Sequence, residues 1–292
     1  MGRGSVIEET VERTIEKQSW IDRLAAPIQK PVFNLMERSG TLRSVLNGTW
    51  LGHPVHPALT DVPIGTWTAG FVLDLLDMVG INRRLRRASD VVQTIGFFSA
   101  IVAALPGLAD WSYTRNRPRR VGFVHGLTNL VIVGIYGASL AARRRGDRGT
   151  GVALSALGYG LLMFSSWLGG TLAYRFGIGV NHAAFEAGPR EFTPVFDDAQ
   201  LREGDVRCVE ANGMPIMLTR YLGQVYAIGD TCTHLGCSLH EGRMVGDEIV
   251  CPCHGSHFRI SDGSAMVGPA SAPEIHFDVR VVNGRIEVRQ AA

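Results

Sequence analysis

The chain is poor in cysteine: it has five among its 292 residues, and four of them lie in two short runs near the C-terminus. The first 30 residues lack an apolar stretch of the kind found in secretory signals, so we expect no cleavable signal peptide. Charged residues are absent from Gly151–Ala173, which argues against an amphipathic helix of a soluble bundle. No pattern typical of a mononuclear iron site is present, which argues against oxygenase catalysis by this chain alone.

The apolar residues are concentrated in one half of the chain. The sequence is 46% hydrophobic with a mean hydropathy of +0.10, which is high for a soluble protein of two domains. Four stretches have close to the roughly 20 residues that cross a bilayer. They are Leu59–Val79, Val91–Leu108, Val121–Ala142 and Gly151–Ala173. We therefore predict a multi-pass protein of the cell membrane, with the lipid bilayer as a partner.

An even number of spans puts both termini on the same side of the membrane, but the side is open. Arginines near the span ends are divided evenly between the two sides, so the positive-inside rule does not decide. The run Arg143–Arg145 could act as a twin-arginine export signal. A long polar N-terminal tail without a signal favours the opposite orientation, and we expect cytoplasmic termini.

The two cysteine runs, CTHLGC and CPCHGSHF, contain a C-x-H and a C-x-x-H motif. These motifs resemble the ligand set of a Rieske [2Fe–2S] cluster, in which two histidines replace two cysteines on one iron. Ligand chemistry assigns Cys232 and Cys251 to one iron, and His234 and His254 to the other. A Cys2His2 zinc site is the alternative, although C-x-H spacing is unusual for a zinc finger. Cys208 fits neither set and is expected to be a buried structural thiol.

The last hundred residues resemble the Rieske subunits of cytochrome bc1 and b6f complexes. That resemblance implies a disulfide between Cys237 and Cys253, a hydroxyl of Ser256 that hydrogen-bonds a bridging sulfide, and a cluster-covering loop at Pro269. Phe258 departs from the family, which usually has tyrosine there. The missing hydroxyl implies a middle reduction potential within the roughly −150 to +300 mV of Rieske centres.

A second motif, GHPVHP, precedes the first predicted span. It resembles an uncharacterised family of four-helix membrane domains with an HPxHP signature, over His53–Ala173. We expect His53, His56 and His125 at one face of the membrane, where they would bind haem b or form a quinone pocket. The alternative is that the His-Pro pairs cap a helix end.

The predicted fold class is α + β in two domains, a four-helix transmembrane bundle followed by an all-β Rieske domain. The domain boundaries are 1–50 for a tail with an amphipathic helix, 51–175 for the bundle, 176–191 for a linker and 192–292 for the Rieske domain. The amphipathic helix rests on the spacing of Ile7, Val11 and Ile15. The Asn283-Gly284 pair predicts a tight hairpin turn in the β domain.

Together these features predict a membrane-anchored one-electron carrier that contains iron. It would exchange electrons between quinol or haem in the membrane and a protein redox partner. The alternatives are a membrane-tethered ferredoxin that serves an oxygenase or reductase, and a redox-sensing or assembly protein. Nucleic acid is not expected as a partner.

Overall fold

The computed structural model describes residues 13–82 and 84–291, and they form two compact units. One unit comprises the described residues through Leu35 together with Val55–Phe176. The other comprises Met36–Pro54 and the chain from Gly177 onward. The first unit is helical and the second contains all the described strands. The coarse prediction of a helical N-terminal region and an all-β C-terminal domain is therefore confirmed.

Six helices have bounds within the described residues. They are α1 (Ile21–Arg38), α2 (Gly40–Asn47), α3 (Val55–Met78), α4 (Leu85–Ser112), α5 (Asn116–Arg144) and α6 (Arg148–Gly170). Residues 13–17 are also helical, and α6 continues into a π-helical turn at Thr171–Arg175. Of the residues that defined the predicted amphipathic helix, Ile7 and Val11 lie outside the described residues.

Three segments are long and apolar enough to cross a membrane within the part of the chain that is described. They are Leu85–Ser112, Asn116–Arg144 and Arg148–Arg175. Their apolar side chains face outward to a large extent: Phe98, Val102 and Leu105 are each more than half exposed. Outward-facing apolar surface on this scale is typical of a membrane protein. Helix α3 is not among the three. The prediction of several apolar membrane helices is therefore confirmed, and the count of four stays a prediction.

Aromatic rings and glycines hold the helical unit together. Trp67 of α3 stacks on Tyr136 of α5 with ring centroids 4.0 Å apart. A Cβ at Gly96 would come within 2.6 Å of the Trp67 ring, and one at Gly158 within 2.8 Å of the Tyr136 ring. Small residues at these positions let the helices approach closely enough to enclose the rings.

A buried polar network joins four helices of this unit. Asp74 of α3 pairs with Arg143 of α5, and both side chains are at most 3% exposed. Arg148 at the start of α6 binds the same carboxylate at 2.9 Å. Ser89 and Gln93 of α4 donate to it as well, at 2.8 Å each. One carboxylate therefore connects α3, α4, α5 and α6.

The β unit consists of three antiparallel sheets. The strands are β1 (Thr193–Asp197), β2 (Val206–Ala211), β3 (Met214–Tyr221), β4 (Gln224–Gly229), β5 (Arg243–Val245), β6 (Glu248–Val250), β7 (His257–Arg259), β8 (Ala265–Val267), β9 (Phe277–Val282) and β10 (Arg285–Gln290). Their orders are β1-β10-β9, β2-β3-β4 and β5-β6-β7-β8. The connections after β4 and after β6 are the two cysteine runs.

Two-residue turns set the register of the hairpins. Asn283 and Gly284 both have positive φ, of 50° and 76°, and Val282 pairs with Arg285. These angles are those of a type I′ turn, as the Asn-Gly pair predicts. Leu222-Gly223 and Asn212-Gly213 form turns of the same kind. Leucine is unusual at a positive φ, and here Glu203 accepts hydrogen bonds from both amides of the Leu222-Gly223 turn.

Candidate metal centre

Two loops of similar construction carry the predicted ligands. In the first cluster loop (Thr231–Ser238), Cys232 N donates to Cys237 O and Gly236 N donates to Cys232 O, both at 2.8 Å. In the second cluster loop (Cys251–Ser256), Cys251 N donates to Ser256 O at 2.8 Å and Gly255 N to Cys251 O at 3.1 Å. Gly236 and Gly255 have φ of 75° and 70°. Glycine suits both turns because other residues rarely adopt such angles.

The two predicted thiolate ligands lie together in the interior. Cys232 and Cys251 are 1% and 3% exposed and belong to one apolar core with Phe258 and Ile249. The hydrogen bond between the two thiols lowers the pKa of Cys251 to about 7 and raises the pKa of Cys232. The lowered pKa of Cys251 favours its thiolate, which is the form of cysteine that binds metal.

The two predicted imidazole ligands also lie side by side. The ring centroids of His234 and His254 are 5.0 Å apart and the rings are nearly perpendicular. Both residues are half-buried. Burial, followed by the charges of His254 and His182, lowers the pKa of His234 to about 3. The His234 ring is therefore neutral, which is the form that coordinates a metal.

A disulfide joins the two cluster loops. Cys237 and Cys253 are bonded, with their Cα atoms 6.4 Å apart and 16 positions apart in sequence. The pairing predicted from the bc1 and b6f resemblance is confirmed. Since each cysteine lies within three residues of a predicted histidine ligand, the bond fixes the separation of the two imidazole-bearing loops.

Ser256, Phe258 and Pro269 lie in or beside the loops and their core, and their roles toward the cluster stay predictions. Ser256 is fully buried, and its oxygen accepts a hydrogen bond from Ala270 N at 3.0 Å. Because the oxygen acts as acceptor there, the hydroxyl hydrogen remains for another partner. Phe258 is fully buried in the core that contains Cys232 and Cys251. Pro269 follows β8, next to Ala270, and its peptide bond to Gly268 is cis.

A buried carboxyl group supports the first cluster loop and was not anticipated from the sequence. Glu274 is 3% exposed and accepts a hydrogen bond from Thr233 N at 2.8 Å. Burial raises the pKa of Glu274 well above its usual value. Nothing in the local sequence around the predicted loop at Pro269 identifies this glutamate as buried.

Cys208 is exposed, so its prediction as a buried thiol is wrong. Alternation along β2 turns Val209 and Ala211 toward one core, which leaves Cys208 on the opposite face. Its sulfur lies near Asp230 and His240. Asp230 accepts hydrogen bonds from the backbone N and from Nδ1 of His240, at 2.7 and 2.8 Å. That carboxylate is satisfied by His240 and does not require a cation.

Two of the three predicted membrane histidines lie together. The rings of His56 and His125 have centroids 6.5 Å apart. Each uses Nδ1 to bind a backbone carbonyl, that of Ala103 at 2.8 Å for His56 and that of Ser165 at 2.9 Å for His125. His53 is exposed and belongs to the other unit. A shared site that includes His53 stays a prediction.

The fold and the converging thiols and imidazoles define a Rieske-type iron–sulfur domain, and two family models match accordingly. Residues 191–284 match the Rieske [2Fe-2S] domain, and residues 52–182 match a family described as predicted membrane protein, DUF2231. The chain therefore belongs to the Rieske [2Fe–2S] family through its C-terminal domain, with a DUF2231 domain before it. The domain match supports a [2Fe–2S] cluster over the zinc alternative.

The similar proteins include ferredoxins and an iron-sulfur subunit of a cytochrome b6-f complex. Ferredoxin CarAc of Metapseudomonas resinovorans is 37% identical over 91 residues, which are 31% of this chain and 85% of that protein. The cytochrome b6-f complex iron-sulfur subunit of Chlorobaculum tepidum is 32% identical over 90 residues, 31% of this chain and 49% of that one. Among solved structures, the ferredoxin of carbazole 1,9a-dioxygenase from Nocardioides aromaticivorans is 28% identical. The aligned region covers 34% of this chain and 98% of that ferredoxin chain, with a TM-score of 0.33.

Proposed function

We propose that the protein is a membrane-anchored one-electron carrier. Its [2Fe–2S] cluster is held by Cys232 and Cys251 on one iron, and by His234 and His254 on the other. The observation that carries the proposal is the pairing of two buried thiols with two adjacent imidazoles on disulfide-linked loops. Two thiolates and two imidazoles are the donors of a Rieske centre.

Each part of the chain has a distinct task in this proposal. The bound cluster supplies reversible one-electron redox chemistry. Burial of Cys232 and Cys251 keeps water from the thiolate-bound iron. His234 and His254 are less buried than the cysteines, so the imidazole side is the side from which a partner approaches. The disulfide holds the two loops together through changes in oxidation state.

The ligand assignment is tested by electron paramagnetic resonance of the reduced, purified full-length protein. Cys251→Ser and His234→Cys are expected to abolish the Rieske signal, while Cys208→Ser, the matched cysteine control, keeps it. Membrane insertion should be unaffected in all three variants. A Rieske signal that survives in Cys251→Ser would refute the assignment.

We infer that α3 to α6 all span the membrane, which places both termini on one side, the cytoplasmic side in our proposal. Helix α3 carries Asp61 in its second turn and Asp74 and Asp77 near its end, and carboxylates are costly in lipid when unpaired. Asp74 is paired with Arg143 and Arg148, and Asp77 with Arg86 at 2.8 Å. Pairing near the end of the helix lowers this cost and makes a fourth span physically reasonable.

For the membrane electron source we favour quinol over haem b. A carbonyl oxygen can only accept, so Nδ1 of His56 and of His125 carries the hydrogen and Nε2 is the basic nitrogen. A basic Nε2 can accept the hydroxyl hydrogen of a quinol. In His125, Nε2 already accepts a hydrogen bond from Asn129 at 3.1 Å. A haem held by both rings would require that bond to break, whereas a quinol needs only Nε2 of His56 as its acceptor.

The choice of electron source has a direct test. Purified protein is mixed with a short-chain quinol, and cluster reduction is followed by visible absorption, with His56→Gln and His125→Gln as variants. We expect quinol to reduce the wild-type cluster, and both variants to keep the Rieske spectrum but lose this reduction. A Soret band lost in the same variants would favour haem instead. Absence of both results would make the histidines structural.

A membrane-tethered ferredoxin that serves an oxygenase is the second candidate. It is favoured by relatives named as ferredoxin components, including that of the naphthalene 1,2-dioxygenase/salicylate 5-hydroxylase systems of a Ralstonia species. That protein is 33% identical over 89 residues, with 30% of this chain and 86% of the relative covered. Reduction of the cluster by a soluble flavin reductase, with none by quinol, would decide for this candidate.

A further inference from the structure

A segment that precedes α3 packs within the β unit. This docking segment, Met36–Pro54, contains α2 and belongs to the β unit. Thr49 donates from Oγ1 to Ala270 O at 3.0 Å, and Gly268 N donates to Ser44 Oγ at 3.4 Å. Both contacts reach the loop at Pro269, in which Ala270 N binds Ser256. The docking segment therefore supports the residue that holds the buried Ser256 hydroxyl.

Arg43 of the docking segment reaches the second cluster loop itself. Its Nη2 donates to Gly255 O at 3.2 Å, next to the predicted ligand His254. Its Nη1 lies 3.2 Å from the position that a Cβ would occupy on Gly255, and Oε2 of Glu37 lies 4.0 Å from that position. A side chain at this glycine would therefore crowd the guanidinium as well as strain the backbone. The Nε of Arg43 is buried and finds no hydrogen-bond acceptor among the described residues.

The charge of Arg43 is only partly offset. Its Nη1 pairs with Glu37 at 2.9 Å, yet the Arg43 side chain is 8% exposed and that of Glu37 is 39% exposed. Water screens the exposed carboxylate more than the buried guanidinium. The second cluster loop therefore experiences a net positive potential from this pair.

A positive potential acts on the two oxidation states unequally. With two thiolate and two neutral imidazole ligands, the oxidised cluster is electrically neutral and the reduced cluster carries a negative charge. A nearby cation stabilises the reduced state more, which raises the reduction potential. We propose that Arg43 is a positioning residue that raises the potential of the cluster through the second cluster loop, and that Glu37 opposes it. The inference rests on the proposed ligand assignment.

The test is a charge series in the full-length protein with its cluster bound. Arg43→Met removes the charge and keeps much of the stem, Arg43→Lys keeps the charge, and Glu37→Gln removes the opposing carboxylate. Midpoint potentials are measured by redox titration followed by circular dichroism of the cluster. We expect a lower potential in Arg43→Met, a higher one in Glu37→Gln, and a value between Arg43→Met and wild type in Arg43→Lys. Added salt should shrink these differences.

Arg280→Met is the matched control, because it makes the same change in net charge on β9, where Arg280 pairs with Glu287. It should leave the potential unchanged.

A purely structural role of Arg43 would lower iron content without opposite shifts in Arg43→Met and Glu37→Gln. Equal potentials in wild type and Arg43→Met, or shifts of one sign in both variants, would overturn the inference. If Arg43→Met does not fold, Glu37→Gln and Arg43→Lys decide it. Absence of a Rieske spectrum in the wild type would instead refute the proposed function.

Discussion

Phe258 is the residue at which this Rieske domain departs from the bc1 pattern, and it gives a prediction at the scale of one side chain. The ring is fully buried in the core that contains Cys232 and Cys251. In Phe258→Tyr the added hydroxyl can donate to a ligand thiolate, which would stabilise the reduced cluster. We expect a higher midpoint potential, measured by redox titration.

The matched control is Phe277→Tyr, since Phe277 is buried in the other core of the β unit. It introduces the same hydroxyl away from the predicted ligands and should leave the potential unchanged. If Phe258→Tyr binds its cluster at the wild-type potential, the side chain does not point toward the ligand sulfurs.

Glu274 predicts a dependence of stability on pH. Its folded-state pKa is raised by burial, so the folded protein holds this proton at pH values where the unfolded chain, with a pKa of about 4.3, has lost it. Stability from this group is highest at low pH and falls as the pH rises above the unfolded value. Glu274→Gln should therefore melt at a higher temperature than wild type at pH 8, with a smaller difference at pH 5. A difference that does not change with pH would contradict the prediction.

The residues of the site differ in how far the sequence could predict them. The cysteine and histidine ligands of each loop follow one another at a short, fixed spacing. Their pattern is therefore visible in the local sequence. Glu274 lies 41 positions from Thr233, and Arg43 lies 212 positions from Gly255. Such long-range contacts leave no local signature, because a charged residue in a loop or short helix resembles any solvated one.

At the scale of structural elements, the disulfide joins two loops that would otherwise be held only by their own turns. In the chain-entropy model a closed loop of this length stabilises the fold by about 3 kcal/mol. Cys237→Ala with Cys253→Ala should therefore still bind the cluster but release iron faster to a chelator, as followed by visible absorption. Cys208→Ala is the control and should behave as wild type. Free thiols at both positions in the non-reduced native protein would refute the clamp.

The ion-pair network of the helical unit predicts that loss of the Asp74 carboxylate destabilises the fold more than loss of the Asp90 carboxylate. Asp74→Asn leaves the buried Arg143 without its main partner, which costs about 3–5 kcal/mol for a buried pair. Asp90 also pairs with Arg143 but is 40% exposed, so Asp90→Asn should cost less than about 1 kcal/mol. Thermal unfolding in detergent, followed by helical circular dichroism, compares the two. Equal losses would mean that burial does not set the cost.

The sequence predicts the type of each secondary-structure element better than it predicts the contacts between elements. Continuous apolar runs and the Asn283-Gly284 pair come from local chemistry, so the sequence predicts the long helices and the last hairpin. The packing of α2 on the loop at Pro269 is not predictable in this way, because the helix is short and its contact through Ser44 joins residues far apart in the chain. The exposure of Cys208 does not follow from thiol chemistry, because β2 contributes to a core through Val209 and Ala211 and so turns Cys208 to the other face.

At the scale of the whole molecule, the chain passes between its two units three times, after Leu35, after Pro54 and after Phe176. The docking segment Met36–Pro54 lies between the first and second of these passages, and its hydrogen bonds to the loop at Pro269 lie within the β unit.

Sidedness is a property of the whole molecule that one native residue can report. Cys208 is the exposed cysteine of the β unit, since Cys237 and Cys253 are bonded and Cys232 and Cys251 are buried. A membrane-impermeant maleimide should fail to label it in intact cells and should label it in inverted vesicles, if the termini are cytoplasmic. Burial of the sulfur and the Asp230 carboxylate raise the pKa of Cys208 to about 11. Labelling therefore needs long incubation at mildly alkaline pH.

Cys208→Ser provides the background, because labelling that persists in this variant comes from another cysteine. With an even number of spans, a tag on either terminus must report the same side as Cys208. Opposite sides would mean that α3 does not cross and that three helices span the membrane, as length and composition alone identify. Labelling of Cys208 in intact cells would place the cluster outside. An exported cluster could not serve a cytoplasmic oxygenase, so labelling in intact cells would also exclude the second candidate function.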